Sequence, residues 1–248
     1  MKSILFLAPL LALAACEGSI VDAVGDAASS SGSSFPDGIA IGTSAKDPGA
    51  FEGVTLAGPD NIVFTTGEGF SIRAEGDAEA IEHLRYKISG DEIKIGRDSD
   101  GLSWSDSAKA TIHVSAPSLK SAKLAGSGNI DIDAMTSDSA TLSIAGSGDI
   151  RVARIETASL RSKIAGSGSL TVAGTAQSVD VSVAGSGDIK GKDLKADDAS
   201  ISVAGSGDVE LSSDGSVDAK VMGSGDVRIH GDAKCKSRAM GSGEINCG

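Results

Sequence analysis

Residues 51–116 consist of short segments in which apolar and polar side chains alternate. The segments read "FEGVTLA", "NIVFTT", "FSIRAE", "RYKIS", "EIKIG" and "ATIHVS", with glycine, aspartate or proline between them. Alternation at every second position is typical of strands with one buried face. We therefore expect a β-rich N-terminal cap made of short strands.

One stretch of this region, "DAEAIEHL" at 77–84, has a different period. Ala78, Ile81 and Leu84 recur at every third position, and Asp77 is well suited to accept a hydrogen bond from the first turn of a helix. The pattern predicts a single short helix.

The tripeptide Gly-Ser-Gly occurs seven times in the second half of the chain, as in "LAGSGNI" and "VAGSGDI". Consecutive copies are separated by 18 to 20 residues, and their first glycines stand at positions 126, 146, 166, 185, 205, 223 and 241. A fixed period of this length indicates stacked units, none of which can bury a core alone. Leucine-rich repeats share the period but need several leucines per unit, so a parallel β-helix fits better.

Alignment on the first glycine of each copy shows which side chains face inward. Apolar or small residues lie two and six positions before the glycine and four and six positions after it, and the positions between them are mostly polar. Two alternating strands with the Gly-Ser-Gly corner between them explain this pattern. Nine positions after the glycine, Met135, Ile155 and Leu194 predict a third inward contact, and variation in the length of that side explains the drift in spacing.

Glycine suits the corner for two physical reasons. A sharp turn between strands needs a positive φ, which glycine adopts at little cost. The corners would also stack at about 4.8 Å, where side chains of successive coils would collide. Seven coils would rise roughly 30–35 Å at that spacing. The sequence thus predicts an all-β, single-stranded parallel β-helix of about seven coils after the cap.

The N-terminus reads as an export signal. Residues 1–15 contain Lys2 followed by an apolar run that is too short to span a bilayer. The tetrapeptide ending at Cys16, "LAAC", resembles the lipobox of bacterial lipoproteins, which implies cleavage before Cys16 and acylation of its thiol, as by palmitate. Residues 16–48, rich in serine, glycine and aspartate, are expected to form a flexible tether. The expected location is the outer membrane, on its periplasmic or outer face, with the membrane a partner through the lipid.

Two cysteines remain if Cys16 is lipidated. Cys235 lies six positions before the last Gly-Ser-Gly, and Cys247 lies six positions after its first glycine. Both are inward positions of the last coil, and export would place them in an oxidising compartment. We expect a disulfide that closes the open end of the stack.

The composition limits the classes of partner. The chain of 248 residues has a net charge of −12, which argues against nucleic acid because phosphate binding needs clustered lysine and arginine. Aromatic residues make up only 3%, which agrees with a core of small aliphatic side chains.

Residues 51–248 resemble the bacterial family described as "putative auto-transporter adhesin, head GIN domain". The resemblance depends on "FEGVTLAGPDNIVFTTGEGFSIRAEGD", on "IHVSAPSLKSAKLAGSGNI" and on the Gly-Ser-Gly corners followed by Asn, Asp or Ser. It implies an exported, right-handed β-helix over residues 49–248, without catalytic residues and without an agreed ligand. It also implies a role in adhesion.

Stacked acidic side chains are the main candidate for site chemistry. They stand three positions after the first glycine of five copies, as Asp149, Asp188, Asp208, Asp226 and Glu244. Carboxylates about 4.8 Å apart could share Ca²⁺, although the sequence predicts no cofactor. The alternative is structural, because aspartate and asparagine often accept backbone hydrogen bonds in turns. The three histidines lie on separate segments, so no metal site is predicted from them.

Two classes of function remain open. The first is a non-catalytic binding or structural module of the cell envelope that recognises a glycan or a protein. The second is a polysaccharide-active β-helix enzyme, a lyase or a hydrolase. Such enzymes need one distinctive group of acids or bases, whereas the carboxylates here repeat evenly. The sequence therefore favours the binding module and predicts no catalytic residues.

Overall fold

The computed structural model of the protein describes residues 35, 37–98 and 108–248. In this part of the chain a parallel β-solenoid of about six turns follows a cap of short strands, which confirms the predicted fold class. Strand β1 spans Ile39–Ala40, β2 Gly53–Gly58, β3 Asn61–Thr66, β4 Ser71–Gly76, helix α1 Ala78–His83, β5 Leu84–Ser89, β6 Glu92–Arg97, β7 Ala110–Ala116, β8 Ser121–Gly126, β9 Asn129–Ile132, β10 Met135–Gly146, β11 Asp149–Gly166, β12 Ser169–Gly185, β13 Asp188–Gly205, β14 Val209–Gly223, β15 Val227–His230, β16 Lys234–Gly241 and β17 Ile245–Cys247.

The solenoid is held in register at its corners. Gly126 pairs with Gly146, Gly146 with Gly166, and so on to Gly241, always between parallel strands. The seven Gly-Ser-Gly corners bound six complete turns, in agreement with the number of turns in the solenoid. Because side chains alternate along each strand, this register places every aliphatic column on the inside.

The core consists of these stacked aliphatic columns. The residues two before and four after each corner glycine are buried in the complete coils, as for Ile144 and Ile150, both at most 1% exposed. The predicted third contact is also present, since Met135, Ile155 and Leu194 are each 1% exposed. Gly174 occupies the equivalent position between Ile155 and Leu194, and the register shifts on that side. The variable repeat length therefore arises on this third side, as predicted.

The order of the layers differs from the order of the chain at the N-terminal end. Strand β2 pairs in parallel with β6 on one edge and with β8 on the other. Strand β3 likewise pairs with β7 and β9. Strands β2 and β3 thus lie between strands that come later in the chain. The sequence pattern did not reveal this arrangement.

Antiparallel strands and the helix close this end of the stack. Strand β4 pairs antiparallel with β7, and β5 pairs antiparallel with β6, while α1 connects β4 to β5. The helix confirms the sequence prediction: the Asp77 carboxylate accepts a hydrogen bond from the Glu79 N–H at 2.9 Å. Strand β1 pairs antiparallel with β5. The larger side chains gather here, including the Phe51–Phe70 ring contact.

The folded body begins earlier than the boundary expected at residue 49. Phe35 and Ile41 are buried, and Lys46 forms a bridge with Ile72. The Lys87 ammonium lies 5.5 Å from the centre of the Phe35 ring. These isolated apolar residues in a polar stretch have no periodicity, so the composition alone indicated a tether. The predicted signal peptide at 1–15 and the predicted lipidation site Cys16 lie outside the described residues.

Candidate binding surfaces of the solenoid

The Gly-Ser-Gly corner has a structural role that its geometry makes explicit. The first glycine of every copy has φ between +124° and +138°. A Cβ on this glycine would lie 2.0–2.5 Å from a glycine carbonyl oxygen of the preceding coil. The same oxygen accepts the N–H of the corner serine, as in Ser147 to Gly126 at 3.0 Å. Glycine is required because the corners approach each other closely enough to hydrogen-bond.

An eighth corner is present at Gly58, where the sequence analysis did not identify one. Gly58 has φ +134° and pairs with Gly126. The signal was available: "LAG" and "NI" are shared between "LAGPDNI" at 56–62 and "LAGSGNI" at 124–130. Proline and aspartate replace the serine and the second glycine, which hid the equivalence.

Asp60 takes the place of the second corner glycine and makes a buried ion pair. Its carboxylate accepts hydrogen bonds from Arg97 Nε at 2.7 Å and Nη2 at 2.6 Å, and from the Ala110 N–H at 2.9 Å. Arg97 also donates to the Ala108 carbonyl at 2.7 Å. The hydrogen bond with Asp60 raises the pKa of Arg97. The pair joins β6 and β7 to the first corner, so its role is to fasten the cap to the solenoid.

The acidic ladder beside the corners is built into the backbone network. Asp149 accepts the Ser169 N–H at 2.9 Å, and Asp188 accepts the Asp208 N–H at 3.1 Å. Asp208 accepts the Asp226 N–H at 2.8 Å, and Asp226 accepts the Glu244 N–H at 2.9 Å. Each carboxylate thus bridges to the same position of the next coil. This arrangement matches the structural interpretation of the ladder, and no cluster of three or more metal-binding side chains occurs in the described part of the chain.

Two grooves run across successive coils of the solenoid. The first has a volume of about 750 Å³ and crosses the coils from Lys120 and Asp138 to Asp197. It is lined by hydroxyl, amide and charged side chains, among them Glu156, Thr175 and Gln177.

The second groove, about 760 Å³, begins at the residues that directly follow the first. Its lining crosses five coils, through Ser159, Ser178, Asp198, Ser216 and Lys234. The two grooves are neighbours because the chain passes from one to the other at 158/159, 177/178 and 197/198. Successive coils thus present a surface of mixed polar and apolar side chains that extends along the axis of the solenoid.

Lys120 lies at the cap end of the first groove. Its ammonium donates to the Glu52 carboxylate at 2.7 Å, and this hydrogen bond raises the pKa of Lys120. The side chain therefore remains a cation well above neutral pH. It adds a fixed positive charge to a groove whose acidic side chains include Asp138 and Glu156.

The three histidines each contact an acidic residue at a different place. His83 Nδ1 lies 2.8 Å from Asp98, and His230 Nε2 lies 2.6 Å from Glu210. His113 Nε2 lies 2.9 Å from Glu75. The contact with His113 lowers the pKa of Glu75, and the hydrogen bond from Arg73 lowers it further. The three histidines lie on different elements, His83 at the end of α1, His113 on β7 and His230 on β15.

A disulfide joins Cys235 and Cys247, whose Cα atoms are 6.5 Å apart. Cys235 pairs with the buried Val217 and Cys247 with the buried Ile229 of the preceding coil. Both cysteines pack against the core, so the bond crosses the inside of the last coil.

The chain has one tyrosine and one tryptophan, Tyr86 and Trp104, whose rings are of the kind that can stack against a sugar. Tyr86 is only 4% exposed and belongs to the core of the cap, which removes it from any binding surface. Trp104 lies outside the described residues. The grooves themselves are lined without aromatic rings.

These features define a class before any comparison: a parallel β-solenoid with an antiparallel cap and grooves along its length. The family model described as "putative auto-transporter adhesin, head GIN domain" matches residues 50–233. The chain belongs to this family, as its sequence motifs indicated. A comparison with curated proteins finds no match.

Solved structures share the fold at low sequence identity. A putative adhesin from Bacteroides fragilis has a TM-score of 0.74 at 21% identity, with 82% of this chain and 94% of that chain covered. A putative lipid binding protein from Parabacteroides distasonis has a TM-score of 0.65 at 24% identity, with 83% and 95% covered. A putative adhesin from the same organism has a TM-score of 0.64 at 20% identity, with 82% and 94% covered.

The description of the family favours an adhesin-like class of protein at the cell surface or envelope. Among the described residues there is no helix with the length and apolar character needed to span a membrane.

Proposed function

We propose that this protein is a non-catalytic envelope lipoprotein whose solenoid binds an extended polar polymer in adhesion or in envelope architecture. The observation that carries the proposal is the pair of adjoining grooves, of about 750 and 760 Å³, that cross successive coils. A ligand lying along the axis would contact side chains of several successive coils in each groove. A site of this length favours a polymer over a compact small molecule.

The lining of the grooves favours a hydroxyl-rich ligand. Serine and threonine hydroxyls together with Gln177 offer both donors and acceptors, and Lys120 and Glu156 add charge-assisted hydrogen bonds. A glycan chain presents the complementary groups at regular intervals. A polypeptide is the other ligand that the same lining accommodates.

A steric block of the first groove tests the site. Ala158 is exposed and lines that groove, whereas Ala153 is exposed on the same strand, β11, outside both grooves. We expect Ala158→Trp to abolish binding to immobilised envelope polysaccharides and Ala153→Trp to leave it unchanged. The measurement is surface plasmon resonance over a panel of neutral and acidic polysaccharides. Equal binding by the two variants would exclude the groove, and binding by neither variant nor the unmodified chain would exclude a polysaccharide ligand.

The same panel separates binding from catalysis. The enzyme hypothesis requires new reducing or unsaturated ends after incubation, and we expect none. Among the described residues, the carboxylates that line each groove are spread over different coils: Asp138, Glu156 and Asp197 in the first groove and Asp180, Asp198 and Asp218 in the second.

The lipid anchor is proposed from the "LAAC" sequence that ends at Cys16. We expect Cys16→Ser to lose incorporation of an alkyne-labelled palmitate analogue and to move from the membrane fraction to the soluble periplasmic fraction. Protease treatment of intact cells then determines which face of the outer membrane the solenoid occupies. Protection from protease would exclude adhesion and leave a role in envelope architecture.

A further inference from the structure

The last coil leaves one edge of the solenoid open. Strand β16 pairs with β14, and β17 pairs with β15. Within residues 37–98 and 108–248, no strand pairs with the opposite edge of either one. The backbone N–H and C=O groups of that edge are therefore available to an added strand.

The inward side of this edge continues the packing columns of the solenoid. Cys235, Ser237 and Ala239 pair with Val217, Ala219 and Val221, which are at most 2% exposed. Ser237 and Ala239 of the last coil are exposed, and within the described part of the chain no further coil covers them. The disulfide between the two cysteines ties β16 to β17. An added strand would thus meet a surface that is already in place and needs only small inward side chains.

The outward side of the edge is basic. Strand β16 reads "KCKSRAMG", and the exposed Lys234, Lys236 and Arg238 alternate with its inward residues. The strand has no acidic residue, although the whole chain has a net charge of −12. A strand laid beside β16 would place its outward side chains next to these three cations.

A second copy of this chain is a poor occupant of the edge. Two copies of β16 in antiparallel pairing would bring lysine and arginine opposite lysine and arginine, which is destabilising. The other end of the solenoid is closed by the antiparallel strands β4 and β5 and by α1. The charge pattern therefore disfavours self-association through this edge and favours a partner of opposite charge.

We propose that the edge formed by β16 and β17 binds an extended segment of another protein by β-strand addition. The segment carries carboxylates at alternate positions, opposite Lys234, Lys236 and Arg238, and small apolar residues between them. Backbone pairing supplies the affinity and the alternating charges supply the selectivity. A glycan is a poorer fit, because it has no backbone amides to continue the ladder.

A synthetic peptide with glutamate at alternate positions and valine between them is the probe. We expect it to bind the full chain in fluorescence anisotropy, and we expect Lys236→Glu with Arg238→Glu to weaken binding by about tenfold or more. The matched control is Arg154→Glu with Lys192→Glu, which changes the charge equally at exposed positions of inner coils. The control should retain the affinity of the unmodified chain. Circular dichroism verifies the fold of both variants.

Two further peptides determine whether the contact is a strand addition. The glutamate peptide with N-methyl groups on alternate amides should fail to bind, since it cannot continue the ladder, and a peptide with lysine in place of glutamate should also fail. Binding of either peptide with the affinity of the original would overturn the proposal. The proposal would also be overturned if the glutamate peptide did not bind and the Lys236→Glu, Arg238→Glu variant formed dimers in sedimentation. That result would show that the cations only protect the edge from self-association.

Discussion

Two physical requirements select glycine at each corner. Its backbone adopts a positive φ, and its missing Cβ leaves room for the carbonyl oxygen of the coil before it. Both requirements apply to Gly146, because a Cβ added there would lie 2.2 Å from the Gly126 carbonyl oxygen. Gly58 has the same φ, but no described atom lies within 4 Å of its Cβ position. The two residues separate backbone strain from steric conflict.

We expect Gly58→Ala to lower the free energy of unfolding by about 1–2 kcal/mol, from backbone strain alone. Gly146→Ala adds the collision with the neighbouring corner, and we expect a loss of roughly 3 kcal/mol or more. Urea unfolding followed by circular dichroism measures both. Equal losses would show that the approach of the corners contributes nothing to the requirement for glycine.

The buried ion pair of Asp60 and Arg97 offers a second test at this scale. Asp60→Ala removes the carboxylate that Arg97 contacts inside the protein, and we expect a loss of about 3–5 kcal/mol. The comparison is Asp131→Ala, which removes an exposed partner 3.7 Å from Arg151 and should cost less than about 1 kcal/mol. Similar losses in urea unfolding would contradict the role of Asp60 in fastening the cap.

At the scale of elements, the sequence predicts the coils better than it predicts the cap. The corner tripeptide and the aliphatic columns recur with one period, so the strand positions and the inward residues of the coils could be identified before the structure was known. In the cap, α1 was identified from its own three-residue spacing and from Asp77. Strand β1 has only two residues and no pattern. The enclosure of β2 and β3 depends on pairings distant in the chain, which local alternation cannot specify.

The candidate sites follow the same division. Alignment placed the acidic ladder and the two cysteines correctly in the coils, because both depend on the period. The grooves could not be predicted, since the side chains that line them come from several coils and share no repeated residue pattern. Asp60 was missed because proline and aspartate replace the serine and glycine of its corner.

The disulfide acts on the last element of the stack. We expect Cys235→Ser with Cys247→Ser to lower stability by about 3 kcal/mol, because the bond closes a short loop in the unfolded chain. The effect should be local: amide hydrogen exchange should accelerate in β16 and β17 and stay unchanged in β11 and β12. Labelling of both cysteines by a thiol reagent in the denatured, non-reduced protein would show that the bond does not form.

At the scale of the whole molecule, each inner coil contacts only its neighbours. Gly185 and Gly205 occupy the same position in consecutive coils. Deletion of residues 186–205 therefore removes one complete coil and joins equivalent backbone positions. We expect the shortened protein to fold, with a solenoid about 5 Å shorter and a modest fall in Tm.

The control for this deletion removes residues 186–195, which is half a coil. All later strands would then lose their register, and inward aliphatic residues would face solvent. We expect this variant to aggregate or remain unfolded by circular dichroism and size-exclusion chromatography. Folding of both variants to the same extent would contradict the stacked-coil account.

Because β2 and β3 are enclosed between strands that come later in the chain, they constrain the order in which the molecule can fold. They also constrain where coils can be gained or lost during evolution. One edge of β2 is covered only when β8 is available, as shown by the Lys120–Glu52 contact across 68 positions of the chain. A nascent chain therefore has to hold its earliest strands incomplete until more than a hundred residues have emerged. Beyond β9 each new coil finds its template already assembled, so gain or loss of coils during evolution is tolerated there and not within the cap.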